Sequence, residues 1–128
     1  MIPQAGGCAC SCSAGKGRRL IFSRSGAADV GELADRAGRA LHRTGLGRMF
    51  CLAGIGGRVS SILKTTDSAL SILAIDGCPL DCARKSLEEA GVKKVHHLRL
   101  SDLGFEKGKT AVDEAAIDVV TKKAERYL

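Results

Sequence analysis

The chain has 128 residues, a formal net charge of +6 and six cysteines, with three Phe, one Tyr and no Trp. That length suffices for one domain that buries roughly two thirds of its unfolded surface without cross-links, so the cysteines are not needed as staples. No run of about 18 apolar residues offers a membrane span, and the scarcity of aromatic rings argues against nucleic acid as a partner, since base stacking needs such surface.

In chain order, residues 1–17 are rich in Gly, Ser, Ala and Cys without an apolar period, which predicts a flexible, basic tail; the seven residues ahead of Cys8 leave no room for a signal-peptide apolar region. Residues 18–128 are then expected to form a single domain. A short strand over 20–22 is followed by Gly26 and a helix over 29–43, whose stripe is Val30, Leu33, Ala37 and Leu41. The pattern next gives a strand over 48–53, a glycine-rich loop over 54–57 and a short helix over 58–64 with Val59, Ile62 and Leu63 inward. A third strand over 70–75 leads to a helix over 79–90. There Pro79 occupies the favoured first position and Leu80, Ala83 and Leu87 face the core, with Arg84/Glu88 and Lys85/Glu89 as charge pairs outside. A fourth strand over 94–100 and a last helix, opened by Thr110 and Asp113 and running through Val112, Ala116, Val119 and Ala124, complete the series.

Strands alternating with helices predict an α/β fold: three layers, with a four-stranded parallel sheet carrying helices on both faces, Rossmann-like or flavodoxin-like with strand order 2-1-3-4. In such folds ligands bind beyond the carboxyl ends of the strands at the switch in strand order. The loops concerned are 23–28, 51–57, 76–79 and 101–109.

Cysteines dominate that rim. Cys51 closes the second predicted strand and Cys78 follows the third, while Cys78 and Cys82, four residues apart, stack at a helix start where the peptide dipoles favour anionic sulfur. Strands two and three lie about two spacings of ~4.8 Å apart, so a metal shared by Cys51 and Cys78 would need a ligand from the loop between them, where Ser23, Arg24 and Ser25 stand. Cys8, Cys10 and Cys12 form a second dense cluster, and the eight steps from Cys12 to Leu20 reach up to about 26 Å, enough to return to the rim. The Cys78-to-Arg84 spacing matches Cys-x5-Arg, but Pro79 removes an N–H that a phosphate loop needs. His96 and His97 point to opposite faces of a strand and do not easily serve one metal. Asp102 stands near the same rim, and Glu106-Lys107-Gly108-Lys109 is either a solvated loop or a source of positive charge there.

Several blocks together resemble the DGC-domain family, named for its Asp-Gly-Cys motif. They are Ser25-Gly26 leading into Asp29-Val30-Gly31-Glu32-Leu33, Cys51-Leu52-Ala53-Gly54-Ile55-Gly56-Gly57, Ile75-Asp76-Gly77-Cys78 with Cys82, and Asp102-Leu103-Gly104. The resemblance implies four cysteines suggested to bind zinc. Cys51, Cys78 and Cys82 match three of them, and Arg24 stands where the fourth is expected.

Three functions follow as expectations. The first is a small cytoplasmic metal-binding protein, holding zinc through Cys51, Cys78 and Cys82, with Cys8, Cys10 and Cys12 as further candidates; a reducing compartment suits such thiols. The second is a thiol-based enzyme or redox protein using Cys78 or Cys82 beside Arg24. The third is a module that binds a small anionic ligand at the rim, for which Arg24, Ser25 and Asp102 are candidates.

Overall fold

A computed structural model describes residues 17–128. The predicted tail, apart from Gly17, and with it Cys8, Cys10 and Cys12, lies outside the described residues. Four strands, β1 (Arg19–Ser23), β2 (Arg48–Met49), β3 (Ser71–Asp76) and β4 (Val95–Arg99), pair in parallel in the order β2-β1-β3-β4. Every connection is therefore a crossover, and each carries helix: α1 (Asp29–Arg43), α2 (Leu52–Gly56) with α3 (Ser60–Asp67), and α4 (Cys82–Glu89). A 3-10 turn, Leu100–Leu103, leaves β4, and α5 (Glu114–Glu125) closes the chain.

Strand residues alternate between two cores, as a period of two requires. Ile21, Leu73, Ile75 and Leu98 point to α1 and α5, where Leu33, Ala37, Ile117 and Val120 meet them. Leu20, Phe22, Ile72 and Ala74 point to the other face, against Ile55, Ala83 and Leu87. The three-layer α/β architecture and the 2-1-3-4 order match the expectation from sequence. No described helix is long and apolar enough to cross a membrane.

Local differences have identifiable causes. The second strand stops at Met49 because the chain turns into α2, with Cys51 as its N-cap, the sulfur accepting the Gly54 N–H at 3.3 Å. Gly54, expected in a loop, sits in that helix and lets Ile62 approach: a Cβ there would lie 2.8 Å from the Ile62 side chain. Val59 caps α3 from outside and is 47% exposed rather than inward. The helix expected from Pro79 begins at Cys82, because Asp81 takes a left-handed conformation (φ 54°) after a turn in which its N–H bonds the Cys78 carbonyl at 3.2 Å. Leu80 consequently faces solvent at 58% exposure, against the expectation that it joins the core. At α5 the cap is Asp113, whose carboxylate accepts the Ala116 N–H at 2.9 Å, and the buried face is Ala116, Ile117, Val120 and Ala124, leaving Val119 outside.

Candidate thiol site at the sheet rim

The Asp76-Gly77-Cys78 segment carries β3 over the rim, and each residue has a separate physical task. Asp76 is 1% exposed and accepts backbone N–H groups from Ala83 at 2.7 Å and Arg84 at 3.1 Å. These are donors of the first turn of α4, so Asp76 does the capping that Asp81, with no side-chain cap bond, does not. Gly77 lies directly against α1: a Cβ would come within 2.8 Å of both the Val30 carbonyl oxygen and its Cγ2. Cys78 emerges next, partly exposed, as is Cys82 at the first position of α4.

Asp81 is 3% exposed and ion-paired. Arg99 forks onto it, Nε donating to Oδ1 at 2.8 Å and Nη2 to Oδ2 at 2.6 Å, and Arg84 adds a bond at 3.2 Å. The Arg99 hydrogen bonds hold the Asp81 carboxyl below the ordinary carboxylate value, against desolvation and with help from the nearby positive charges. The same carboxylate pushes the Arg99 guanidinium further up. His97 bridges the two acids, its Nε2 lying 2.9 Å from Asp76 Oδ2 and 3.6 Å from Asp81 Oδ1.

Cys78 and Cys82 line one cleft together with Arg24, Lys107 and the two acids. Its cavity measures about 20 Å³, room for one water or one small ion. Arg24 reaches it from the loop after β1, its N–H continuing the sheet ladder to the Ile75 carbonyl at 3.0 Å and its Nη1 bonding the Ser25 carbonyl at 2.6 Å. The guanidinium lies beside Gly26 and Gly31: it would meet a Cβ on Gly26 directly and would touch one on Gly31 at 3.4 Å, an ordinary contact. Lys107 comes from the loop before α5. That loop is latched to the start of α1 by Asp29, whose carboxylate accepts the N–H groups of Gly108 and Thr110, both at 2.9 Å. Those two bonds lower the Asp29 pKa. Neither Arg24 nor Lys107 has a carboxylate partner among the described residues.

The structure thus brings Arg24, Cys78 and Cys82 into one cleft. Cys51 is exposed at the start of α2 and does not line it. Ser25 contributes its carbonyl to Arg24, and Asp102 lies 3.5 Å from Arg99 Nη1, on the outer side of the acid network. Sequence reasoning overlooked Asp81, Arg99 and Asp29, and set His97 aside. One available signal was the two-residue spacing of His97 and Arg99, which puts both on one face of β4; their bonds to Asp76 and Asp81 span 16 to 21 residues, and of these two acids the motif marked Asp76 alone.

The cleft and its surroundings bear on zinc. Among the described residues, Asp76, Asp81 and His97 are the only three side chains of ligand type whose donor atoms lie within 4.8 Å of one another. Their oxygens are already taken by Arg99, Arg84, His97 and two backbone N–H groups, so a cation there would have to displace a forked ion pair. The lining of the cleft itself holds two cysteines and two cations. A structural zinc takes four ligands of the Cys or His type, so the described residues do not make a closed zinc site.

Comparison with known proteins gives one family: the DGC domain model matches residues 20–124. The chain is also similar to the anaerobic and virulence modulator AnvM of Pseudomonas aeruginosa, 39% identical over 88 residues, which are 69% of this chain and 67% of that protein. No solved structure matches.

Proposed function

The chain belongs to the DGC-domain family, and from that premise we propose that its working centre is a reactive thiol, Cys78 or Cys82, serving a thiol-based enzyme or redox protein. One observation carries this reading: two partly exposed thiols share a cleft with two cations that have no carboxylate partner among the described residues. Reactive cysteines are found in partly exposed, electropositive surroundings, where positive charge favours the nucleophilic anion. The AnvM relative is named as an anaerobic modulator, and thiols are groups whose state follows the supply of oxidant. We assign the protein to the cytoplasm on the same reading, since that is a compartment where glutathione and thioredoxin keep thiols reduced.

Alkylation by iodoacetamide at pH 6, followed peptide by peptide in a mass spectrometer, tests this. Cys51 is the internal reference, being exposed but outside the cleft. The expected result is modification of Cys78 or Cys82 about tenfold faster than Cys51; equal rates at all three overturn the reading.

Zinc binding is the second reading, favoured by two soft donors at a cavity of ionic size. Cys51, or Cys8, Cys10 and Cys12, would supply the remaining ligands, and Arg24 would have to turn away. Protein purified without chelator should then contain zinc that the Cys78→Ser/Cys82→Ser double variant lacks. Equal zinc in the two forms removes this reading.

A further inference from the structure

We infer that the cleft takes a ligand by its negatively charged end, held between Arg24 and Lys107, and that Asp29 is a positioning residue that keeps Lys107 there. The inference rests on the thiol reading only for what happens after binding. The two acids that line the cleft are engaged within the protein: Asp81 is ion-paired with Arg99 and Arg84, and Asp76 accepts two backbone N–H groups and lies 2.9 Å from His97 Nε2. Glu106, the one acid in the loop between Gly104 and Thr110, is paired with Lys109 at 3.3 Å, which leaves Lys107 over. What faces the cavity unpaired is therefore cationic. A metal cation would bind there only with Arg24 turned away, and a neutral ligand would leave the two charges no partner other than the thiols.

The surroundings of the two cations are also ordered. The Arg24 guanidinium bonds the Ser25 carbonyl and lies beside Gly26 and Gly31. Lys107 sits one residue before the first of the two N–H groups that Asp29 captures across 79 and 81 residues of sequence. A loop whose backbone is already ordered loses less freedom on binding than a free one, so the Asp29 latch lowers the cost of presenting Lys107 to a ligand. The cavity of about 20 Å³ admits a charged end group rather than a whole metabolite, so the remainder of the ligand lies in the open mouth. The class is a small carboxylate-bearing or other monoanionic molecule whose electrophilic atom adjoins the charge.

Two alkylating probes that differ only in charge test this. Iodoacetate and iodoacetamide both react by thiolate sulfur forming a bond to the CH2 carbon as iodide leaves, but only iodoacetate carries an anion into the cleft. The readout is the iodoacetate-to-iodoacetamide rate ratio at Cys78 and Cys82, divided by the same ratio at Cys51. A value of about ten is expected for the wild type, falling toward one in Arg24→Ala/Lys107→Ala and to between the two in Asp29→Ala. Asp29→Asn, which keeps one acceptor oxygen, should lie between Asp29→Ala and wild type. A wild-type value of one overturns the anion subsite while fast iodoacetamide reaction leaves the thiol reading standing. A high value with slow reaction of both probes relative to free cysteine does the reverse. If Asp29→Ala retains the full wild-type value, the positioning role is refuted.

Discussion

Gly77 determines how closely the end of β3 approaches α1, and the atoms it meets cannot yield. A Cβ would lie 2.8 Å from the Val30 carbonyl oxygen and 2.9 Å from its carbonyl carbon, both backbone. Gly77→Ala must therefore push the strand end and the helix apart, at a cost of about 1–3 kcal/mol, readable in chemical denaturation. Gly56 is the matching control: it ends α2 with nothing within 4 Å of an added Cβ, so Gly56→Ala should be neutral or stabilise by up to about 1 kcal/mol. Equal losses for the two would show that close approach is not the reason for glycine at position 77. The sequence marked the motif by its aspartate and cysteine. Nothing in it marked the glycine's contact, because Val30 is 47 residues away and belongs to another element.

The start of α4 is an element held from outside. Ala83, Leu87 and the Arg84/Glu88 spacing, with Nε and Oε2 now 4.0 Å apart, made the body of the helix readable. Its first turn was misplaced because a proline at the first helical position is a strong local rule, and a left-handed Asp81 overrides it. With Asp81 committed to Arg99, the N–H groups of Ala83 and Arg84 depend on Asp76. Asp76→Ala removes both acceptors and should destabilise the protein by about 3 kcal/mol, with faster amide exchange at Ala83 and Arg84 than in the rest of α4. Asp76→Asn keeps one carbonyl oxygen and should cost about half as much. Unchanged exchange at those two amides would rule out Asp76 as the cap.

Over the whole molecule, the strand order was legible because parallel strands require crossovers and the apolar periods showed where the helical crossovers lie. The rim charge network was not, since it is assembled by register. Pairing of Asp76 with Arg99 and of Ala74 with His97 sets the β4 side chains beside the turn that carries Asp81. That network gives the fold an acid limit. Asp81 is held below its ordinary value of 3.8, so its contribution is complete above that pH and drains away as the pH falls through the lower folded-state value. Asp29 is shifted in the same direction and adds to the same limb. Arg99 is shifted upward and stays charged throughout, so it adds no slope in acid. Asp81→Asn isolates the effect, because Asn tolerates the left-handed backbone that position requires. The variant should lose about 2 kcal/mol at pH 7, where the buried ion pair is gone, and its stability should fall less steeply than wild type between pH 4 and pH 2. Urea unfolding at a series of pH values measures both. Parallel curves for the two proteins would mean that the Asp81–Arg99 pair does not set the acid limit. A gap that closes as the acid protonates Asp81 in the wild type would locate that limit at the entrance to α4, beside the cleft that holds Cys78 and Cys82.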